Sequence, residues 1–146
     1  MNGFDFSEFT QMINQLEGLG ADMNKVAEHV LDAGSEPARA AFAENVPYDS
    51  KTPESMHSYK HAKDNVVVSK TRTARKSKNK YRLIDAKTNK TDPKTGEAIP
   101  YLYYREYGTT KNPAKPWVDK AYTAAQAAAS TPMENALIQE IDNHLR

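Results

Sequence analysis

The fold is decided by residues 103–121, which read YYREYGTTKNPAKPWVDKA. Side chains alternate in type over residues 101–107, a period-two pattern that predicts the third β-strand of the chain. Gly108 tolerates backbone angles that strain other residues, so we expect the strand to turn there. Pro116 suits the first position of a helix, and Trp117 supplies a large apolar anchor. The stretch therefore predicts a structural corner between a strand and a helix.

Two amphipathic helices are predicted before this corner. Apolar residues recur at intervals of three and four over residues 9–16 and again over residues 23–45. Gly18 lies where the first helix should end. Pro37 interrupts the second, which predicts either one kinked helix or two stacked helices. Val46-Pro47 ends that segment, because the residue before a proline is disfavoured in a helix.

A hairpin is predicted between the helices and the corner. The β-branched run that begins at Val66 predicts a strand to about Thr73, and residues 81–86 predict its partner. The intervening residues 74–79 carry no apolar periodicity, so we expect a basic loop at the hairpin tip. Residues 87–98 consist of turn-forming residues and predict a long loop.

The C-terminal region predicts two helices, one from Pro116 and one after a break at residues 130–132, with Thr131 and Glu134 as a capping box. The expected fold is therefore α+β, with a small antiparallel sheet and a long basic hairpin packed against N-terminal and C-terminal helices. A length of 146 residues predicts a single domain, residues 1–146. Its predicted parts are helical residues 1–46, a β-sheet with loops over residues 65–108, and C-terminal helices over residues 116–146.

Charge is distributed unevenly along the chain. The first 50 residues hold nine acids against Lys25 and Arg39, a net charge of −7, whereas residues 70–90 have a net charge of +8. This asymmetry fits nucleic-acid contact or head-to-tail packing of copies, and also a plain acidic helical face beside a solvated basic loop. The candidate interface residues are Lys70, Arg72, Arg75, Lys76, Lys78, Lys80, Arg82, Arg105 and Glu106.

Composition and motifs argue against several kinds of chemistry. The chain has no cysteine, which excludes disulfides and thiolate sites and fits assembly in a reducing cytoplasm. His57 and His61 have a spacing that can ligate zinc on a helix, but no third ligand is evident. Residues 92–96 resemble only part of a calcium loop. No residues form a clear acid–base pair for a ribonuclease, so we expect no catalytic residues, metal or cofactor.

Residues 103–121 resemble a pattern found in tail-completion proteins of siphophages, also called minor tail, neck or head–tail joining proteins. In that family a tyrosine-rich strand ends in Glu-aromatic-Gly-Thr, as in Glu106-Tyr107-Gly108-Thr109 here. A small polar loop, a Pro-aromatic pair (here Pro116-Trp117) and an alanine-rich helix follow. The paired N-terminal helices and the Asn45-Val46-Pro47 step also resemble the family's layout.

The resemblance implies a structural virion protein of the phage tail and neck, assembled in the cytoplasm of the bacterial host. It implies a homo-oligomeric ring, hexameric as a first expectation, that completes the head-proximal tail end, joins tail to head and forms part of the DNA channel. The implied partners are the tail terminator, tail tube or head-closure proteins, with transient non-specific contact to genomic DNA and none to membrane. Gly108, Pro116 and Trp117 are expected to form the structural corner.

Two alternatives stay open. One is a small DNA-binding accessory protein that contacts phosphates through the basic hairpin at residues 70–82. The other, within the structural class, is a tail terminator or head-side adaptor. We favour a protein neighbour for the hairpin, because tight DNA binding would hinder translocation of the genome.

Overall fold

The computed structural model describes residues 6–48, 61–87 and 101–146. Within these ranges the chain forms four α-helices, one 3₁₀ helix and two short antiparallel sheets, which confirms the predicted α+β class. In chain order the elements are α1 (Phe6–Gly18), α2 (Met23–Glu44), the 3₁₀ helix (Ala62–Asn65), β1 (Val66–Val68), β2 (Arg72–Thr73), β3 (Lys80–Tyr81), β4 (Ile84–Ala86), α3 (Tyr101–Tyr107) and α4 (Val118–Leu145).

Both predicted N-terminal helices are present. After α1, Gly20 adopts a left-handed φ of 77°, and the amide of Ala21 donates to the Leu16 carbonyl at 3.1 Å, as in a Schellman cap. Pro37 lies inside α2, which is one helix rather than two. Buried residues before and after the proline, Val30 and Phe42 among them, keep the whole helix engaged in packing.

The predicted hairpin is confirmed as paired segments with an interruption. Val66–Val68 of β1 pairs with Ile84–Ala86 of β4, and Arg72–Thr73 of β2 pairs with Lys80–Tyr81 of β3. At the interruption the Leu83 amide donates to the Ser69 hydroxyl at 2.9 Å, while the Ser69 amide donates to the Leu83 carbonyl at 2.8 Å. A side-chain oxygen thus replaces a backbone acceptor, so the regular ladder stops there.

The prediction of a third strand over residues 101–107 is wrong, because this segment is helix α3. Leu102 and Glu106 are half-buried, whereas Tyr103, Tyr104 and Arg105 are exposed. A strand would place residue 104 on the same face as residues 102 and 106, whereas a helix places only 102 and 106 together, as observed. The alternating tyrosines imitated a strand because most of them lie on the solvent side.

The predicted break at residues 130–132 is also wrong. Helix α4 is continuous with Pro132 inside it, and it starts at Val118, two residues after Pro116. An internal proline costs about 3 kcal/mol. Beyond the proline, Leu137 and Ile141 are buried, and each fully buried side chain of this kind contributes about 1.5–3 kcal/mol. Packing on the C-terminal side therefore outweighs the lost hydrogen bond.

The chain divides into two compact units. The first comprises residues 1–38, 69–83 and 126–146. Its core joins Leu16 of α1, Val26 and Val30 of α2, and Leu137 and Ile141 of α4. A Cβ added at Gly34 would lie 2.6 Å from Met133 Cγ, so α2 and α4 approach closely at that point.

The second unit comprises residues 39–68 and 84–125. Phe42 of α2 is 2% exposed and meets the ring of Tyr122 edge-on, with centroids 5.1 Å apart. The Tyr122 hydroxyl donates to the Ile84 carbonyl at 3.1 Å, which ties α4 to β4. Val66 of β1 and Ala121 of α4 are also buried.

Candidate functional site

Residues 69–83, here called the ribbon, form the outer part of the hairpin. Its turn is closed by two backbone hydrogen bonds: the Ala74 amide donates to the Asn79 carbonyl, and the Lys78 amide to the Ala74 carbonyl, both at 2.9 Å. Lys78 adopts a left-handed φ of 59°. Non-glycine residues rarely adopt this conformation, so the tight turn is built at a local backbone cost.

The register of β2 and β3 gives the ribbon two faces. Thr73 lies opposite Lys80, and the Lys80 ammonium donates to the Thr73 hydroxyl at 2.6 Å, so both side chains share one face. Arg72 lies opposite Tyr81 on the other face. That second face carries a cation beside an exposed aromatic ring.

Arg82 holds the ribbon to helix α2. Its guanidinium pairs with Asp32 Oδ1 at 2.6 Å and with Glu28 Oε2 at 2.9 Å. It also donates to the hydroxyls of Ser35 and Thr71, each at 3.0 Å. Burial acts to lower the pKa of Arg82, but the hydrogen bonds to Asp32 and Glu28 raise it above its ordinary value on balance.

The other ribbon cations are arranged differently. They are exposed, and none forms an ion pair with any residue that the structure describes. These six residues are Lys70, Arg72, Arg75, Lys76, Lys78 and Lys80. The seven predicted ribbon cations therefore divide into one anchor, Arg82, and six exposed cations without an ion pair among the described residues.

The predicted corner is present with a different first element. Residues 102–118, here called the corner, run from α3 to the start of α4. Glu106 Oε2 accepts hydrogen bonds from the backbone amides of Trp117 at 2.6 Å and Val118 at 3.1 Å. The first amides of a helix have no partner within it, and a carboxylate there also complements the helix dipole. Glu106, predicted as an interface residue, therefore caps α4.

The rest of the corner is closed by backbone geometry. Gly108 has a φ of 78°, as the sequence predicted, and a Cβ there would lie 2.7 Å from the Ala114 amide nitrogen. The Thr109 hydroxyl accepts from the Asn112 amide at 3.1 Å. The Arg105 carbonyl accepts a hydrogen bond from the Lys115 amide at 2.8 Å, and the Arg105 side chain is exposed.

Trp117 is the anchor that the sequence predicted. Its indole N–H donates to the Leu102 carbonyl at 3.3 Å, and its ring meets Phe42 edge-on, with centroids 5.9 Å apart. Edge-to-face aromatic pairs add about 0.5–1.5 kcal/mol to the burial of their area. The corner is thus held by a carboxylate cap, a left-handed glycine and an aromatic pair.

A groove of about 260 Å³ opens beside the corner. Five aromatic residues line it: Phe42, Tyr103, Tyr107, Trp117 and Tyr122. Two carboxylate residues, Asp85 and Glu106, line it as well, whereas no lysine or arginine of the described chain does. We call this the aromatic groove. The sequence missed it because its lining residues come from α2, β4, α3 and α4, which no local pattern brings together.

The histidine pair considered for zinc gives no site in the described part of the chain. His57 lies outside the described residues, and His61 is 2% exposed, with its ring 4.3 Å from that of Tyr48. Residues 6–48, 61–87 and 101–146 contain no group of three side chains suited to hold a metal ion. Within the same residues, no helix combines the length and apolar character needed to span a membrane.

Comparisons with known proteins add no family or structural relative. No protein-family model, no curated protein and no solved structure matches the chain. The functional argument therefore depends on the residues and contacts described above.

Proposed function

We propose that the chain is a structural protein of the neck or tail of a long-tailed bacteriophage. It completes the head-proximal end of the tail, joins the tail to the head and acts without catalysis. The observation that carries this proposal is the ribbon, which presents six exposed cations without an ion-pair partner among the described residues. Such a positively charged surface favours contact with a negatively charged molecule.

The energetics of the ribbon support an assembly role. Like charges on so short a segment repel one another, which disfavours the compact state of an isolated subunit. An acidic surface on a neighbouring protein removes that repulsion and gains attraction. The first 50 residues have a net charge of −7, which makes a second copy of this chain a suitable source of such a surface. Contacts between two different patches of identical subunits generate rings or filaments.

The corner supports the same proposal through the residues that carry the resemblance to tail-completion proteins. Glu106, Gly108 and Trp117 each have a defined role in holding α3 against the start of α4. The residues that carry the resemblance therefore also hold this part of the fold together. A rigid corner of this kind suits a building block whose neighbours must find fixed surfaces.

Electron microscopy of phage particles tests the proposal. A phage that carries this gene with an early stop codon should yield filled heads and tails that remain separate, and a plasmid copy of the gene should restore joined virions. The plasmid copy with all six ribbon cations changed to glutamine should fold and yet fail to restore joining. Normal virions from the stop-codon phage would refute the proposed function.

A second candidate is a small DNA-binding accessory protein, favoured by one observation. Arg72 and the exposed ring of Tyr81 lie opposite each other on the ribbon. An aromatic ring beside a cation suits a nucleic-acid strand, because the ring can stack on an unpaired base while the cation contacts a phosphate, and the same cations can contact the phosphates of a duplex. Duplex binding should then weaken with salt, with a logarithmic slope near −5 if all six cations contact phosphates, taking about −0.9 per contact. A slope near zero would remove this candidate.

A further inference from the structure

The aromatic groove has the chemistry of a site for a cationic side chain. Its walls are aromatic, and the acidic residues Asp85 and Glu106 are among the residues that line it. Cations are attracted to the faces of tyrosine and tryptophan rings, with more effect once water is excluded. Glu106 accepts two amide hydrogen bonds through Oε2, whereas the exposed Asp85 has no side-chain hydrogen bond or ion pair among the described residues.

The dimensions of the groove limit what can occupy it. Small-molecule pockets usually measure about 300–1,000 Å³, whereas this groove measures about 260 Å³. Two of its lining residues, Tyr103 and Tyr107, are 60% and 67% exposed, and their ring centroids lie 4.7 Å apart. A single long side chain that enters from a neighbouring surface fits these features better than a whole ligand does.

We propose that the aromatic groove of one copy receives Arg75 from the ribbon of a second copy, and that this contact links successive subunits. The inference rests on the proposed function, since it names the contact that builds the assembly. Charge complementarity selects the occupant: the ribbon carries six cations that lack an ion pair among the described residues, and the groove is lined by two acidic and five aromatic residues and by no described lysine or arginine.

Arg75 is the best placed of these cations. It lies in the turn at the ribbon's outer end, with its side chain exposed, whereas Arg72 lies in β2 opposite Tyr81. A guanidinium group stacks on aromatic rings and forms a fork of hydrogen bonds to a carboxylate, which an ammonium group does less well. Asp85 supplies that carboxylate, and Tyr103 or Tyr107 supplies the ring.

The contact is head-to-tail, because the groove and the ribbon are different surfaces of the same chain. Each copy has one of each, so subunits add in series until the series closes on itself. This arrangement makes a strict prediction for mixtures. A copy with a defective ribbon and a copy with a defective groove retain one functional contact between them and stop at a dimer.

The test is sedimentation velocity on the full-length chain over a concentration series. Arg75→Gln should raise the apparent dissociation constant of self-association by at least ~10-fold, which corresponds to about 1.4 kcal/mol. The matched control Arg72→Gln removes the same charge and should change it by less than ~3-fold, as expected for an exposed charge at the rim. The pair Asp85→Asn and Tyr103→Ala should weaken assembly as Arg75→Gln does, with unchanged circular dichroism.

Mixing a ribbon variant with a groove variant tests whether the ribbon of one copy binds the groove of another. Arg75→Gln and Asp85→Asn proteins should each be monomeric at concentrations where the wild-type chain assembles, and their mixture should contain dimers and nothing larger. Equal effects of Arg75→Gln and Arg72→Gln would overturn the proposal in favour of unspecific charge. A monomeric wild-type chain at every concentration, or one that shifts only when duplex DNA is added, would overturn it too. None of these three results would refute a role in joining heads to tails, which the stop-codon phage tests separately.

Discussion

The ribbon and the corner both contain charged residues, yet they use charge in opposite ways. In the corner, Glu106 is half-buried and its carboxylate accepts hydrogen bonds from two backbone amides at the start of α4. In the ribbon, Arg82 pairs with two acids, while the six other cations are exposed and have no ion pair among the described residues. The difference separates the charges that hold the fold from those that are exposed to solvent.

The same distinction appears in the backbone. Both segments contain a left-handed residue, Gly108 in the corner and Lys78 in the ribbon. A glycine adopts that conformation without strain, whereas a lysine does so at a cost. Next to Gly108 the backbone of Ala114 approaches too closely for any side chain. The corner is therefore fixed by sterics as well as by hydrogen bonds, and substitutions there should damage stability most.

Gly108→Ala should have the largest effect, a loss of about 2–3 kcal/mol in the free energy of unfolding. The added methyl group meets the Ala114 amide nitrogen at 2.7 Å, and the left-handed φ is strained for alanine. Gly18→Ala is the matched control, because a Cβ at Gly18 meets nothing within 4 Å. Urea denaturation of both variants measures the difference, and equal midpoints would contradict the described corner.

Glu106→Ala should follow, with a loss of about 1–2 kcal/mol, since it leaves the Trp117 and Val118 amides without their acceptor. Glu106→Gln keeps an oxygen acceptor and loses only the charge, so it should cost about 0.3–1 kcal/mol. Thermal unfolding at low and high salt separates the two contributions. If the glutamine variant were as unstable as the alanine variant, charge rather than hydrogen bonding would be the main effect.

Sequence patterns predicted the parts of this fold that depend on local periodicity or special backbone angles. Helices α1 and α2 follow from their apolar spacing, and the left-handed Gly108 follows from its place after the tyrosine-rich run. The tyrosine-rich run itself was misassigned, since exposed tyrosines carry no information about which face is buried. Pro132 was misread as a break, because the core contacts that keep α4 continuous come from residues distant in the chain.

For the candidate site, the sequence predicted only the basic composition of the ribbon. The basic segment was evident from the sequence, but its division into Arg82 and the rest depends on Glu28 and Asp32, which lie about 50 residues earlier. The aromatic groove was not predictable, because Phe42, Tyr103 and Trp117 come from separate segments. Chain folding, rather than any local pattern, brings these residues together.

Arg82→Gln should cost about 1–1.5 kcal/mol, an intermediate effect. Arg82 has a side-chain exposure of 16%, but Glu28 and Asp32 are 52% and 64% exposed, so solvent screens part of each ion pair. The variant also leaves the two acids without their shared cation. Chemical denaturation with and without added salt measures the effect, which should shrink at high ionic strength. A salt-independent loss would mean that the hydrogen bonds to Ser35 and Thr71 dominate.

Removing charge at the ribbon's turn should have the smallest effect on the free energy of unfolding, within about 0.5 kcal/mol for Arg75→Gln or Lys76→Gln. Both side chains are exposed and neither has an ion pair among the described residues, so no ion pair among those residues is lost. Relief of repulsion between neighbouring cations favours a slight gain. Unfolding midpoints compared with that of Arg82→Gln give the measurement. A loss as large as that of Arg82→Gln would mean that these cations also hold the fold, and the contrast between ribbon and corner would disappear.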